Sequence, residues 1–153
     1  HIKEGERVLE IGPGNGTLTE VLLERGARVL AIEKDPRLIQ LLREKFAGKN
    51  FEVIEGDAVS KDSPWETGLK ESPWKLVGNI PYYITGAVFK KFLTAPHQPS
   101  TLVFLIQKEV GERIARKYSV FVSQSIRNAE VHKNGSGGSI LPAAESRFRH
   151  TCG

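Results

Sequence analysis

At 153 residues, with 22 Lys plus Arg against 18 Asp plus Glu, the chain is one domain's worth of sequence with a modest net charge of +4. A single cysteine, Cys152, excludes a disulfide framework or a cysteine-based metal site within the chain and fits a reducing, cytoplasmic setting. No apolar run reaches the roughly 18 residues of a membrane span and the start is not signal-like, so a soluble chain with no membrane partner and no metal is expected; the basic excess suits a polyanion without requiring one.

The chain opens HIKEGERVLEIG, without a methionine and almost directly on its first strand, so a piece of a longer protein is expected. Residues 7–12, RVLEIG, are a short apolar run ending at glycine. TLTEVLLERG (17–26) then repeats apolar residues at helical spacing through Leu18, Val21 and Leu22 and closes on Gly26. ARVLAIE (27–33) predicts a second strand, and DPRLIQLLREKF a second helix with Asp35 as N-cap and Pro36 at the first helical position. FEVIEGD (51–57) predicts a third strand, followed by a loop rich in Ser, Pro and Trp over 60–73 with room for a short helix. WKLVGNI (74–80) predicts the fourth strand, GAVFKKFL (86–93) a helix, STLVFLIQ (100–107) the fifth strand and KEVGERIARK (108–117) another helix. Such alternation argues for an α/β fold: a mostly parallel central sheet with helices on both faces. Beyond Lys117 the pattern changes; SVFVSQS (119–125) suits a sixth strand, NAEVHK (128–133) part of a seventh, and NGSGGS (134–139) a flexible link. There is no internal repeat, and nothing in the sequence points beyond a monomer.

EIGPGNGT (10–17) is the first chemical signal. Glycines at alternate positions between a strand and a helix let a ligand approach the backbone and the helix amides closely. Their spacing, Gly12, Gly14, Gly16 with Glu10 just ahead, is not the G-x-G-x-x-G of dinucleotide sites. It favours a nucleoside without a pyrophosphate and disfavours an NAD-dependent oxidoreductase, although a tight strand-helix connection alone has the same pattern. Glu33 lies at the end of the second strand, about 20 residues after the turn, where a carboxylate grips a ribose diol. Asp57, at the end of the third, is placed to accept a hydrogen bond from an adenine amino group. Each taken singly also fits an ordinary surface acid or a turn cap; three at the ends of successive parallel strands line one crevice.

VGNIPYYITG (77–86) brings Asn79, Ile80, Pro81 and Tyr82 to the same crevice if the fourth strand lies beside the first. An exocyclic aromatic amine is a poor nucleophile because its lone pair is delocalised into the ring. Accepting both of its hydrogens, on the Asn79 side-chain oxygen and the Ile80 carbonyl, favours a pyramidal nitrogen with its lone pair free. Pro81 would stiffen the turn and Tyr82 would offer a face for a base to stack on. The alternative is that Asn79 satisfies backbone groups and the tyrosines pack at a rim.

VLEIGPGNGTLT, AIEKD, EGDA, GNIPYYIT and LIQKEVGERI resemble, in order, motifs of the ribosomal RNA adenine N6-dimethyltransferases, a family of class I S-adenosylmethionine-dependent methyltransferases with a Rossmann-like fold. IQKEVGERI, together with GPGNG, is more similar to the small-subunit (kasugamycin-sensitivity) branch than to the large-subunit antibiotic-resistance methylases. The resemblance implies transfer of methyl groups from S-adenosylmethionine to N6 of two adjacent adenines in the 3′-terminal hairpin of small-subunit rRNA, in an immature 30S particle. It further implies that Glu10, Gly12, Gly14 and Gly16 serve the cofactor, with Gly12 at its methionine part, Glu33 at the ribose and Asp57 at the adenine. Asn79 would meet the methyl-donor end and the target amine, and Tyr82 would stack on a base turned out of its helix.

The family pattern also includes a Gln-Asn-Phe-Leu type motif ahead of the first strand and a helical RNA-gripping domain after the sheet. Neither is found in these 153 residues, so they are expected to be one catalytic domain. A Phe-x-Pro-x-Pro-x-Val-x-Ser stretch has its nearest match in ILPAAESRF, with Ile140 where the Phe belongs. Lys90, Lys91, Arg113, Arg116 and Lys117 are candidates for phosphate contacts, or solvated helix faces. A cofactor- or RNA-binding piece without turnover, a large-subunit rRNA methylase, and a class I methyltransferase for glutamine or DNA adenine remain as alternatives.

Overall fold

A computed structural model of the chain describes residues 2–60, 65, 69, 73–105, 113, 121–125 and 128–132, with backbone alone at 82, 121–125 and 128–132. Seven strands form one sheet in the order β3-β2-β1-β4-β5-β7-β6. In chain order the elements are β1 (Arg7–Ile11), α1 (Thr17–Glu24), β2 (Arg28–Glu33), α2 (Pro36–Lys45), β3 (Phe51–Glu55), β4 (Trp74–Asn79), α3 (Tyr82–Thr94), β5 (Thr101–Leu105), β6 (Phe121–Ser125) and β7 (Asn128–His132). The first five strands are mutually parallel, as the alternation predicts. β7 runs antiparallel to both β5 and β6 and is inserted between them. Only two residues separate β6 from β7, too few for a parallel crossover, so a hairpin is the available connection.

β1 sits at the centre of the five parallel strands and is buried on both faces, which is why RVLEI reads as a run rather than an alternation. Its odd and even residues serve different layers. Val8 joins Leu22, Ala27, Val29 and Val77 on the α1 face, whereas Leu9 and Ile11 pack with Val88, Phe89 and Phe92 of α3 on the other. α2 completes the first layer through Ile39, Leu42 and Phe46 against Ala31 and Val53. Helices therefore cover both faces.

The α2 boundary follows its sequence signals: the Asp35 carboxylate accepts from the Arg37 amide, and Pro36 occupies the first helical position. α3 corrects the prediction, since it starts at Tyr82 rather than at Gly86. Aromatic and β-branched residues at 82–85 have modest helix propensity, so the local pattern points to a longer turn. Tertiary packing overrides it: Thr85, Val88, Phe89 and Phe92 are all fully buried on one stripe, and the Thr85 hydroxyl donates to the Pro81 carbonyl at 3.1 Å. Trp65 and Trp74 anchor that stripe, with the Trp65 ring 4.7 Å from Phe92 and 5.6 Å from Trp74. All of the helix predicted over 108–117 except Arg113, the link at 134–139, the stretch around Ile140 and most of the 60–73 loop lie outside the described residues. Among the described residues no helix is long and apolar enough to cross a membrane.

Candidate active site

β1 is flanked by β2 on one side and β4 on the other, so chain order reverses there, and the carboxyl ends of these strands form the switch point at which open α/β sheets bind ligands. The register says what lines it. Ile11 is level with Ile32 of β2 and Gly78 of β4, which puts the next residues, Gly12, Glu33 and Asn79, side by side across three adjacent strands. Glu33 is level with Glu55, and Asp57 follows two residues later. The edge thus runs Asp57, Glu33, Gly12, Asn79.

Gly12, Gly14 and Gly16 all have positive φ, at 65°, 58° and 77°. The turn is held by Gly12 N–H donating to the Ile32 carbonyl at 3.0 Å and Gly16 N–H to the Pro13 carbonyl at 2.9 Å. A Cβ added at Gly12 or Gly14 would meet no atom within 4 Å, so that side of the turn is open space a ligand can enter. Gly16 is different; it caps α1, and a Cβ there would lie 2.6 Å from the Phe46 ring.

The Glu33 carboxylate is aimed by amides at the end of β2. It accepts from Lys34 N–H at 2.7 Å and Asp35 N–H at 3.1 Å, and from Gly14 N–H at 3.3 Å, which ties it to the glycine turn. Asp57 accepts from the Val59 amide at 3.0 Å and pairs with the Lys34 ammonium at 2.7 Å. Lys34 and then that amide hold its carboxyl below the usual carboxylate range. Asn79 is exposed, Ile80 is buried, and Pro81 caps α3. Tyr82 opens the helix, and Tyr83, given no role in the sequence reading, is 74% exposed. Gly78 lets β4 approach: a Cβ would stand 2.8 Å from the Ile11 carbonyl oxygen.

Glu10 is placed differently from a ligand-facing acid. It points to the α1 face, is 1% exposed, and accepts from the buried Thr19 hydroxyl at 2.7 Å. It therefore ties β1 to α1 on either side of the turn. Burial pushes its carboxyl from the usual 4.5 up to about 7, against the opposing pull of Thr19. A carboxyl raised in the folded state favours folding while protonated, and that advantage is lost as pH rises through the interval from 4.5 to about 7. Wild-type stability should fall across it by about 3 kcal/mol relative to Glu10→Gln, whose urea midpoints lack that component. The lowered carboxyls of Glu6, Asp35 and Asp57 act below this window, so equal slopes for both proteins would show that Glu10 is charged in the fold.

Thr19, Lys34 and Gly78 escaped the sequence reading. Only Thr19 left a signal, a hydroxyl on the apolar stripe of α1. Among the basic candidates, Lys90 and Arg113 are exposed. The Lys91 ammonium donates to the Ser60 carbonyl and stands 5.8 Å over the Trp65 ring. Arg116 and Lys117 lie outside the described residues. A cavity of about 400 Å³ opens at the other, amino end of the sheet, lined by Arg7, Arg28, Lys49 and Phe51 among others, away from all the residues of the edge.

Residues 1–126 match the family model described as ribosomal RNA adenine dimethylase. The Ribosomal RNA small subunit methyltransferase A of Dehalococcoides mccartyi (strain CBDB1) is 47% identical over 117 residues, which are 76% of this chain and 40% of that protein. The chain thus spans about two-fifths of the length of the curated relatives it matches. Among solved structures, the 23S rRNA methyltransferase ErmE superposes with a TM-score of 0.66 at 29% identity, covering 86% of this chain and 61% of that one. Aeropyrum pernix fibrillarin, solved with natively bound S-adenosyl-L-methionine, gives a TM-score of 0.61 over 84% of this chain and 66% of its own; at 16% identity the likeness is of fold alone.

Proposed function

This chain belongs to the ribosomal RNA adenine dimethylase family, and on that premise we propose that it carries the catalytic domain of an enzyme that dimethylates N6 of two adjacent adenines in the 3′-terminal hairpin of small-subunit rRNA. The observation that supports it most is the register that sets Gly12, Glu33 and Asn79 level at the topological switch point, with Asp57 beyond. The small-subunit choice rests on curated relatives named Ribosomal RNA small subunit methyltransferase A, which are 43–47% identical over about three-quarters of this chain.

The edge suits S-adenosylmethionine: the open space at Gly12 and Gly14 leaves room for a ligand against the backbone, and the Glu33 and Asp57 carboxylates beside it offer acceptors for hydroxyl and amino hydrogens. That cofactor, when bound, supplies an electrophilic methyl group on a sulfonium. In our reading the glycine turn carries its methionine part, Glu33 accepts from the ribose hydroxyls, and Asp57 accepts from the adenine amino group. Asn79 Oδ1 and the Ile80 carbonyl accept the two hydrogens of the target amine and turn its lone pair outward, toward the electrophile. Pro81, with φ fixed at −58°, sets the angle at which that carbonyl enters α3. The target base must leave its stack to reach this edge, and Tyr82 stacks on it there. The amine proton leaves to solvent once nitrogen has gained the methyl, so no strong general base is needed.

The substrate is tested by offering this chain immature small-subunit particles with unmodified adenines, naked large-subunit rRNA and adenine-containing DNA in parallel. Dimethyladenosine, read by mass spectrometry of nuclease digests, is expected in the small-subunit rRNA alone. Modification of the large-subunit RNA or of DNA in its place would reject the assignment.

A further inference from the structure

We propose that Lys34 is a latch across the adenine end of the crevice, which a bound nucleoside must displace, and that it thereby sets cofactor affinity in this chain. The inference rests on the reading of Asp57 as acceptor of the adenine amino group.

Lys34 is the first residue past β2, and Asp57 the second past β3. These strands are neighbours, with Glu33 level with Glu55, and Gly56 N–H donates to the Glu33 carbonyl at 2.9 Å, so their ends are fixed side by side. The Lys34 ammonium spans them, 2.7 Å from Asp57 Oδ2. A nucleoside held at its ribose by Glu33 and at its base by Asp57 must cross the same gap. Asp57 Oδ1 is engaged by the Val59 amide at 3.0 Å, so the more open acceptor for a ligand is Oδ2, the oxygen Lys34 occupies. Both partners are well hydrated, at 61% and 37% side-chain exposure, so the ammonium can swing into water at modest cost. An amino hydrogen then takes the position of a stronger, charged donor.

Calorimetric titration with S-adenosylhomocysteine tests this, because its uncharged sulfur removes any direct repulsion between Lys34 and a sulfonium. Lys34→Met should bind about two- to fivefold tighter than wild type, as expected for release of an exposed pair. Lys34→Arg, which keeps a donor cation, should stay near wild type. Wild-type affinity should rise as salt is raised from about 0.02 to about 0.5 M, and the Lys34→Met affinity should not. In the Asp57→Asn background, itself about tenfold weaker through loss of a charged acceptor, the Lys34→Met gain should vanish. Unchanged or weaker binding by Lys34→Met, with Asp57→Asn still weakened, would overturn the latch and leave the adenine reading standing. Unchanged binding by Asp57→Asn would overturn both.

Discussion

Asn79→Ala should lower methyl transfer by about 10²–10³-fold while cofactor affinity stays within about threefold of wild type. The size follows from the role proposed for it. One of two acceptors that shape the amine is lost, in a step where the nitrogen gains its nucleophilic character only as the ring releases the lone pair, so the loss falls on the transition state. Cofactor affinity is spared because the glycine turn, Glu33 and Asp57 lie on the other strands of the edge. Folding should be spared as well, since Asn79 is exposed and surface changes of this kind stay within about 0.5 kcal/mol. Asn79→Asp keeps an acceptor oxygen and should retain more activity than the alanine variant. Parallel loss of binding and turnover, with a lowered unfolding midpoint, would instead make Asn79 a structural residue.

Gly16→Ala should destabilise the chain by about 2–5 kcal/mol, a large share of the roughly 5–15 kcal/mol that holds a domain together. Two costs combine. Alanine at φ 77° carries about 1–2 kcal/mol of left-handed strain. Its Cβ would also lie 2.6 Å from Phe46 Cε2 and 2.9 Å from Leu42 Cδ2, buried side chains at the end of α2 and within it, which adds about 1–3 kcal/mol of overpacking. Gly14→Ala is the control. Its φ of 58° is equally left-handed but its Cβ enters open space, so it should cost only the strain, about 1–2 kcal/mol, while weakening cofactor binding by filling the cradle. Urea denaturation of the two variants reads the difference directly; equal midpoints would mean that α2 yields at no cost and that the turn is not wedged against it.

The edge was legible in the sequence because each of its residues sits at a strand end marked by local chemistry. Gly12 breaks an apolar run, Glu33 and Asp57 follow stretches containing Val and Ile, and Asn79 stands two residues before Pro81. The α2 boundary was legible for the same reason, through Asp35 and Pro36. What was not legible depends on partners far apart in the chain. The Thr19 hydroxyl meets Glu10 across nine residues, and only the face of β1 decides that this carboxylate is buried rather than presented. Lys34 finds Asp57 because β2 and β3 are neighbours, a fact of topology. The early start of α3 and the placing of β7 between β5 and β6 are likewise set by packing and pairing rather than by the residues at those positions.

The central claim, that the cofactor lies along the carboxyl edge of β1 to β4, is tested most directly by amide shifts of the ¹⁵N-labelled chain titrated with S-adenosylmethionine. The account predicts large, saturating shifts at Gly12, Gly14, Gly16, Glu33, Lys34, Asp57, Ala58 and Asn79, with Arg7, Arg28 and Lys49 at the opposite end unmoved. Saturating shifts at those three basic residues, with the edge silent, would place the ligand in the amino-end cavity and contradict it.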